Sequence, residues 1–232
     1  MTKKNKAVAL LSGGLDSVVA TKLAQGSSYV ISAITFDYGQ RAFPRESEVA
    51  KRVCRELSIE FRSIELPWLR DWTDTALVER DESLPQVSAE GLEEGSLDRA
   101  NQVWVPNRNG AFVAVAAAFA ESAGANSIVM GLNLEEATSF PDNSEDFLKA
   151  TNVALSFSTR NRVRLTSPTL RMTKREIAEK FMDLDIDPAL FWCCYEGGKK
   201  LCGRCESCAR TIRAFKAAGK WDLISNRFEP KG

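Results

Sequence analysis

The sequence predicts an α/β fold built on a doubly wound, parallel, five-stranded sheet. Short β-rich runs alternate with helical patterns along most of the chain, and the first of them stops at a serine and two glycines before a helix begins. Such alternation calls for right-handed crossovers between parallel strands, with helices covering both faces. With 232 residues, 44% of them hydrophobic, the chain is long enough for one substantial core, so a single domain over 1–232 is expected.

Residues 6–11 (KAVALL) form an apolar run, after which Leu15, Val18, Val19 and Leu23 recur at helical spacing, giving strand, loop and helix. Residues 29–36 (YVISAITF) predict a second strand, and Val49, Val53 and Leu57 then share one helix face beside Ala50 and Cys54. A third strand is expected at 59–66. Residues 67–104 lack sustained periodicity and carry nine acidic residues from Asp71 to Asp98, the pattern of an insertion or lid and not of a core element. Regularity returns with an alanine-rich helix at 111–123, apolar nearly all round, and a fourth strand at 127–132 (SIVMGL). A helix near 145–156, a fifth strand near 163–167 and a helix from 173 to about 183 complete the order, and residues 190–232 are set apart by their cysteines.

Lysine plus arginine and aspartate plus glutamate both total 31, so no global positive field draws a polyanion, and nucleic acid is not favoured as a substrate. No apolar run approaches the roughly 20 residues of a membrane helix, and no signal-peptide core is present, which makes a cytoplasmic location the expectation. Histidine is absent. That removes the usual general acid or base near neutral pH and leaves cysteine or carboxylate as ligands for any zinc.

The hexapeptide Ser12-Gly-Gly-Leu-Asp-Ser17 lies between a buried strand and the first turn of a helix, where free N–H groups and the helix dipole favour an anion. Gly13 and Gly14 admit phosphate oxygens close to the backbone, and the Ser12 and Ser17 hydroxyls can donate to them. Asp16 is misplaced beside phosphate unless a divalent cation bridges the two, which implies magnesium. The loop fits neither the Walker pattern nor the dinucleotide-binding glycine pattern. Its bland alternative is an ordinary glycine-rich turn.

Six cysteines occur, and Cys194, Cys202, Cys205 and Cys208 form C-x7-C-x2-C-x2-C, a spacing that lets four thiolates converge on one zinc ion at about 2.3 Å. A four-cysteine site is closed and structural. Lys199, Lys200, Arg204 and Arg210 nearby are expected to offset its negative charge. A redox or sulfur-transfer C-x-x-C pair is the competing reading, one that leaves a spaced cysteine idle. Cys193 is the less favoured member of its doublet, and Cys54, on an apolar helix face, reads as core.

The hexapeptide resembles the SGGxDS loop of the ATP-pyrophosphatase group, whose members cleave ATP between the α and β phosphates. Taken with Asp37-Tyr-Gly-Gln40, Val105-Pro-Asn-Arg-Asn-Gly110, Phe140-Pro-Asp142, Thr173-Lys-Arg-Glu176 and the four cysteines, the chain resembles the 7-cyano-7-deazaguanine synthase family over nearly its whole length. The resemblance implies a Rossmann-like fold of nucleotide α-hydrolase type with a C-terminal, zinc-binding helical segment at 190–232, and a homodimer. It implies conversion of 7-carboxy-7-deazaguanine with ammonia and two ATP to the nitrile used for queuosine, with ATP, Mg2+ and Zn2+ as cofactors.

By the same resemblance, Ser12, Gly13, Gly14, Leu15, Asp16 and Ser17 bind ATP, and Asp16, Lys174 and Arg108 are catalytic. Tyr38, Gln40, Arg108, Asn109, Phe140 and Asp142 then bind the substrate. The plainer alternatives are a helix cap for Asn109, a solvated helix start for Lys174 and a core position for Tyr38.

Two positions depart from the family pattern. Ala42-Phe-Pro-Arg45 stands where a histidine is usual, and Asn143 where a cysteine is usual. With no histidine to serve as base, Asp142, Asp37, Glu135 and Glu136 are the carboxylates expected to accept protons. Three other functions stay open on the residues alone: coupling of the activated carboxylate to another amine, with a protein as acceptor; a tRNA-thiolating adenylase; and a non-catalytic nucleotide-binding module.

Overall fold

The computed structural model describes residues 5–230, so the outermost residues of the expected 1–232 unit lie outside the description. Five parallel strands form one sheet: β1 (Lys6–Leu10), β2 (Tyr29–Asp37), β3 (Glu60–Glu65), β4 (Ser127–Val129) and β5 (Arg164–Thr166). Their order is β3-β2-β1-β4-β5. The chain therefore reverses its direction of sheet growth between β1 and β4, and an open α/β sheet binds its ligands at such a switch point, outside the carboxyl ends of the strands.

Eight α-helices are described: α1 (Leu15–Ser27), α2 (Phe43–Leu57), α3 (Pro67–Asp71), α4 (Ser96–Gln102), α5 (Arg108–Ser122), α6 (Glu145–Ser158), α7 (Lys174–Asp183) and α8 (Glu206–Ala217). Alternation along β1 sorts them into two layers. Ala7, Ala9 and Leu11 face a core shared with α1, α2, α7 and α8. Val8 and Leu10 face the other, against α5 and Leu155 of α6. The small buried residues Ala116, Ala117 and Ala120 bring α5 close to the sheet. No helix among the described residues is long and apolar enough to cross a membrane.

The five expected strands and the helices between them are present, with three differences. First, α5 begins at Arg108, ahead of the apolar periodicity, because Asn107 takes a left-handed backbone (φ 51°) that turns the chain into the helix. Second, β4 ends at Val129, and the chain leaves the sheet at Met130, whose N–H donates to the Thr166 carbonyl at 2.9 Å.

The third difference is a correction. Residues 67–104 were expected to stand apart from the core, yet Leu77, Val78 and Leu84 are buried in it. The segment is also tied down: Val87 N–H donates to the Arg204 carbonyl at 2.8 Å, and the Arg41 guanidinium donates to the carbonyls of Glu79 and Glu82. Isolated apolar residues held by long-range contacts leave no periodic signature, which is why the sequence pattern passes over them.

Three phenylalanines lock the C-terminal helices to the sheet. Phe181 of α7 meets Phe191 edge-on at 5.5 Å and Phe215 of α8 at 6.3 Å, and all three are fully buried. Truncating a large aromatic at such a junction removes both apolar contact and ring pairing. Phe181→Ala should lower the unfolding free energy by about 3–5 kcal/mol in urea titration. A loss below about 1 kcal/mol would show that the junction repacks freely.

Candidate functional site

At the carboxyl end of β1 the chain turns through Ser12 and Gly13 into α1. Gly13 has φ +82°, and a Cβ there would lie 2.8 Å from the Glu46 carbonyl oxygen, so conformation and space both require glycine. The Gly13 carbonyl is held by Trp192 N–H at 2.7 Å. Ser12 Oγ accepts from Gly14 N–H at 3.2 Å and lies 3.2 Å from Ser17 Oγ. Gly14 caps α1 without a side-chain bond to the first turn. Those first-turn N–H groups keep no side-chain partner, as an anion site requires.

Asp16 and Lys174 meet across this loop. Lys174 Nζ donates to Asp16 Oδ2 at 2.5 Å and to Glu136 Oε1 at 2.8 Å, and Lys174 is only 5% exposed. A solvated helix start is therefore ruled out for Lys174. The neighbouring glutamate completes the grip: Glu135 Oε1 accepts the Lys174 backbone N–H at 2.8 Å and Oε2 accepts from Arg213 at 3.1 Å. A capping box between Thr173 and Glu176 sets the first turn of α7 that carries the lysine.

Burial disfavours the ammonium, but the charges of Asp16 and Glu136 outweigh it and raise the Lys174 pKa. Burial raises the Asp16 carboxyl above its ordinary value, against the pull of Lys174. For Glu136 burial also works upward, and there the lysine's charge and hydrogen bond prevail and lower it. Asp16 Oδ1 is buried with no hydrogen-bond partner. A buried carboxylate oxygen left open, beside a second carboxylate and a phosphate-type loop, fits a hard divalent cation.

This loop forms one end of a cavity of about 240 Å³. The other end is aromatic and cationic. Phe36 stacks on Phe112 at 4.3 Å with their planes 13° apart, and Tyr38 lies against Phe112 at 5.8 Å. Arg108 Nη1 donates to Tyr38 Oη at 3.1 Å, and Phe140 closes the same wall. Burial raises the Tyr38 pKa; it works to lower that of Arg108, where nearby Tyr38 and Asp142 prevail, so the guanidinium stays charged.

The remaining expected residues divide. Ser12, Gly14, Leu15, Asp16, Ser17, Tyr38, Gln40, Arg108, Asn109, Phe140 and Lys174 all line the cavity, whereas Asp142 stands behind its wall and Asn143 takes the lining position. Asn109 is not a helix cap. Its Nδ2 donates to the Asp142 carbonyl at 3.2 Å and ties the start of α5 to the 140–143 turn. Gln40 has its amide engaged on both sides, accepting from Tyr38 N–H and donating to the Phe36 carbonyl and Glu46 Oε2, each at 2.9 Å.

Glu46, Phe112 and Gly131 are among the lining residues that escaped the sequence reading. Glu46 sits in the first turn of α2, where an acidic residue looks like ordinary dipole compensation. Phe112 is hidden in a helix that is apolar nearly all round. Gly131 lines the cavity and lets β4 approach α1: a Cβ there would lie 2.6 Å from Asp16 C and Ser17 N.

The four cysteines Cys194, Cys202, Cys205 and Cys208 are buried, with all sulfurs within 4.8 Å of one another. Tetrahedral thiolates at about 2.3 Å from one ion stand roughly 3.8 Å apart, and Cys202 and Cys208 are 3.9 Å apart. The cluster suits a metal ion. Of the cations expected to offset the cluster's charge, Arg204 does so: the Cys202 thiol is the largest influence raising its pKa, while its guanidinium also pairs with Glu229 and Glu196. Arg210 is paired with Glu206, and Lys200 donates to the Asn226 carbonyl. Backbone N–H groups of Cys202 and Cys205 also donate to Cys194 and Cys202 sulfurs at 3.3 Å, a local way to hold thiolate charge in a tight turn. Cys54 is core, as expected.

A glycine-rich turn into an uncapped helix, at the switch point of a doubly wound sheet and beside a buried lysine, defines a nucleotide-handling α/β enzyme. The family profile described as "Queuosine biosynthesis protein QueC" matches residues 6–219, and the chain belongs to this family. It is 47% identical to the 7-cyano-7-deazaguanine synthase of Methanosarcina mazei over 96% of this chain and 98% of that protein. It is 46% identical to the protein of the same name from Pelotomaculum thermopropionicum over 92% and 98%, and 44% identical to that of Methanosarcina barkeri over 96% and 98%.

The close approach of Gly131 to the first turn of α1 generates a test. Gly131→Ala should cost about 1–3 kcal/mol in urea unfolding, because the new methyl meets backbone atoms that cannot rotate away. Amide hydrogen exchange should quicken at residues 16–18. Unchanged exchange there would mean that β4 and α1 tolerate the separation.

Proposed function

We propose that this chain is an ATP-dependent ligase that converts 7-carboxy-7-deazaguanine, with ammonia, to 7-cyano-7-deazaguanine, the queuosine precursor. One observation carries the reading: a single cavity joins a phosphate-type loop at one end to a stacking wall with an arginine at the other. A flat bicyclic base suits Phe36, Tyr38, Phe112 and Phe140, and its carboxylate suits the guanidinium of Arg108.

The chemistry follows from what a carboxylate lacks. Its oxygen attacks the α-phosphorus of ATP, pyrophosphate leaves, and the acyl carbon gains a leaving group. Ammonia attacks that carbon, AMP departs with the C–O electron pair, and a proton is lost from nitrogen, giving the amide. A second ATP is attacked by the amide oxygen. Two protons then leave nitrogen as AMP departs with the C–O pair; one freed N–H pair completes the C≡N bond and the other remains on nitrogen as its lone pair. No step needs a nucleophilic side chain. Holding both reactants in one pocket lowers the barrier through orientation.

Residues 12–17 cradle the phosphates through N–H and hydroxyl donors, and Lys174 neutralises charge developing on the departing pyrophosphate. Asp16 and Glu136 would hold magnesium, which offsets the charge of the triphosphate oxygens when bound. The four cysteines hold one zinc ion in a structural role. Exposed Val153 and Phe157, one turn apart on α6, offer an apolar face for the homodimer.

The direct test is incubation with ATP, magnesium, ammonium and 7-carboxy-7-deazaguanine, followed by mass spectrometry: nitrile and two AMP per turnover are expected. A product conjugated to another amine would point to the coupling reading instead. Asp16→Ala should cut AMP release by at least roughly 10²-fold while leaving the circular dichroism spectrum unchanged. AMP released at the normal rate by that variant would remove Asp16 from the site.

Metal analysis should find one zinc per chain, and Cys205→Ser should release it and lower the thermal midpoint, since binding energy at such a site is folding energy. Carefully purified protein without zinc would overturn the assignment.

A further inference from the structure

The reaction proposed above asks for a base in its last step, and the chain has no histidine. Four carboxylates line the cavity: Asp16, Glu46, Glu136 and Glu206. Three are held by cations. Asp16 and Glu136 grip Lys174 at 2.5 and 2.8 Å. Glu206 accepts from Arg210 at 2.7 Å and lies 3.6 Å from Arg99. Against its burial, Lys174 holds the Glu136 carboxyl below its ordinary value, so it is a poor proton acceptor; Asp16, though raised by burial, has Oδ2 engaged by the lysine and Oδ1 placed for a cation, and Glu206 is engaged by Arg210.

Glu46 differs. Among the described residues it forms no ion pair, and the one hydrogen bond to its carboxylate comes from a neutral amide, Gln40 Nε2 to Oε2 at 2.9 Å. Gln40 is in turn fixed by the Phe36 carbonyl and Tyr38 N–H, so Oε2 is anchored while Oε1 takes part in no hydrogen bond. The residue's backbone also abuts Gly13, which places it over the phosphate loop, and Tyr38, Arg108 and Phe140 line the same cavity. It therefore borders both the loop and the aromatic wall of the cavity.

The carboxylates expected from sequence are poorer choices. Asp142 stands outside the cavity lining, Asp37 Oδ1 accepts the Gly39 N–H at 2.9 Å, and Glu135 and Glu136 are taken up with Lys174 and Arg213.

We propose that Glu46 is the general base of the dehydration step, accepting an N–H proton of the O-adenylated amide through Oε1. Atoms balance: the electron pair of that N–H bond forms a C–N π bond, the C–O pair leaves with AMP, and the nitrogen's other proton passes to solvent. Burial pushes the Glu46 carboxyl up to about 7, with Asp37 of β2 adding to the rise and the Gln40 bond and Arg108 of α5 opposing it. Tyr38, the remaining titratable neighbour, has its own pKa raised by burial and is neutral near pH 7. A carboxylate so placed is ionised above that value and still basic enough to take a proton near neutral pH.

This role rests on the function proposed above, and the test separates the two. The enzyme is given 7-amido-7-deazaguanine with ATP and magnesium, and nitrile is followed by rapid quench. For the wild type, the rate should rise through an inflection near pH 7 as Glu46 ionises. Glu46→Gln should slow nitrile formation by roughly 10²–10³-fold and abolish the inflection, with amide still formed from the carboxylate and accumulating. Glu46→Asp should restore part of the rate and keep a pH dependence.

Equal losses in amide and nitrile formation by Glu46→Gln, or an inflection that survives the substitution, would overturn the role. Should that variant fail to fold, a wild-type profile flat between pH 6 and 8 (about one unit either side of the expected value) overturns it alone. A wild type that makes neither amide nor AMP from the carboxylate overturns the proposed function, and this role with it.

Discussion

The buried ammonium of Lys174 is the contact on which the site depends. It joins three parts of the chain distant in sequence: Asp16 in the first turn of α1, Glu136 in the turn after β4, and its own place at the start of α7. A buried charge cluster of this kind adds little net stability, because desolvation offsets most of its attraction. Removing one member would strand the others. The cluster therefore specifies position: α7 can dock only where both carboxylates reach the lysine, and that docking closes the phosphate-loop end of the cavity. Glu135 and Glu136 divide the work, one holding the lysine's backbone and the other its side chain.

The cysteine cluster extends the same control from the opposite side. Cys205 caps α8, the helix that sends Glu206, Ser207, Arg210 and Thr211 to the cavity wall. Residues 67–104 lean on this helix through Gln86 opposite Cys205, Arg99 beside Glu206, and Glu93 paired with Arg213 at 2.6 Å. Arg213 reaches Glu135 as well, so the chain of contacts runs from the cysteines to the lysine. The four-cysteine cluster thus bears on the cavity itself, since it fixes the helix that forms one wall.

How much of this could be read in advance depends on the kind of signal each residue leaves. The strands and helices leave periodic ones, and the Ser-Gly-Gly turn and the cysteine spacing leave local ones; each lies where the sequence places it, apart from the start of α5 and the end of β4. Lys174 was legible as a motif residue but its burial was not, because burial comes from Asp16 and Glu136, 158 and 38 residues away. Leu77, Val78 and Leu84 were misread for the same reason. Gly131 looks like the end of a strand, and only the approach of α1 shows why no Cβ fits. Glu46 is the sharpest case: in sequence it is one acidic residue among several, and it becomes distinct only when the cavity shows which carboxylates already hold a cation.

That contrast bears on how one pocket can serve two activations. At the phosphate end, one lysine faces two carboxylates, so the triad carries a net negative charge and favours a cation that arrives with the triphosphate. At the other end, Arg108 is positive and the walls are aromatic, so under the proposed function a planar anionic base would be held by contacts independent of the nucleotide. Under the proposed function this separation matters: AMP and pyrophosphate must leave and a second ATP enter while the intermediate amide stays bound. A site that held both ligands through shared groups would release the amide together with AMP. Glu46, bonded to Gln40 at the aromatic wall and with its backbone against Gly13 of the loop, touches both ends without a cation of its own, which suits a base that must act on an amide held at that wall.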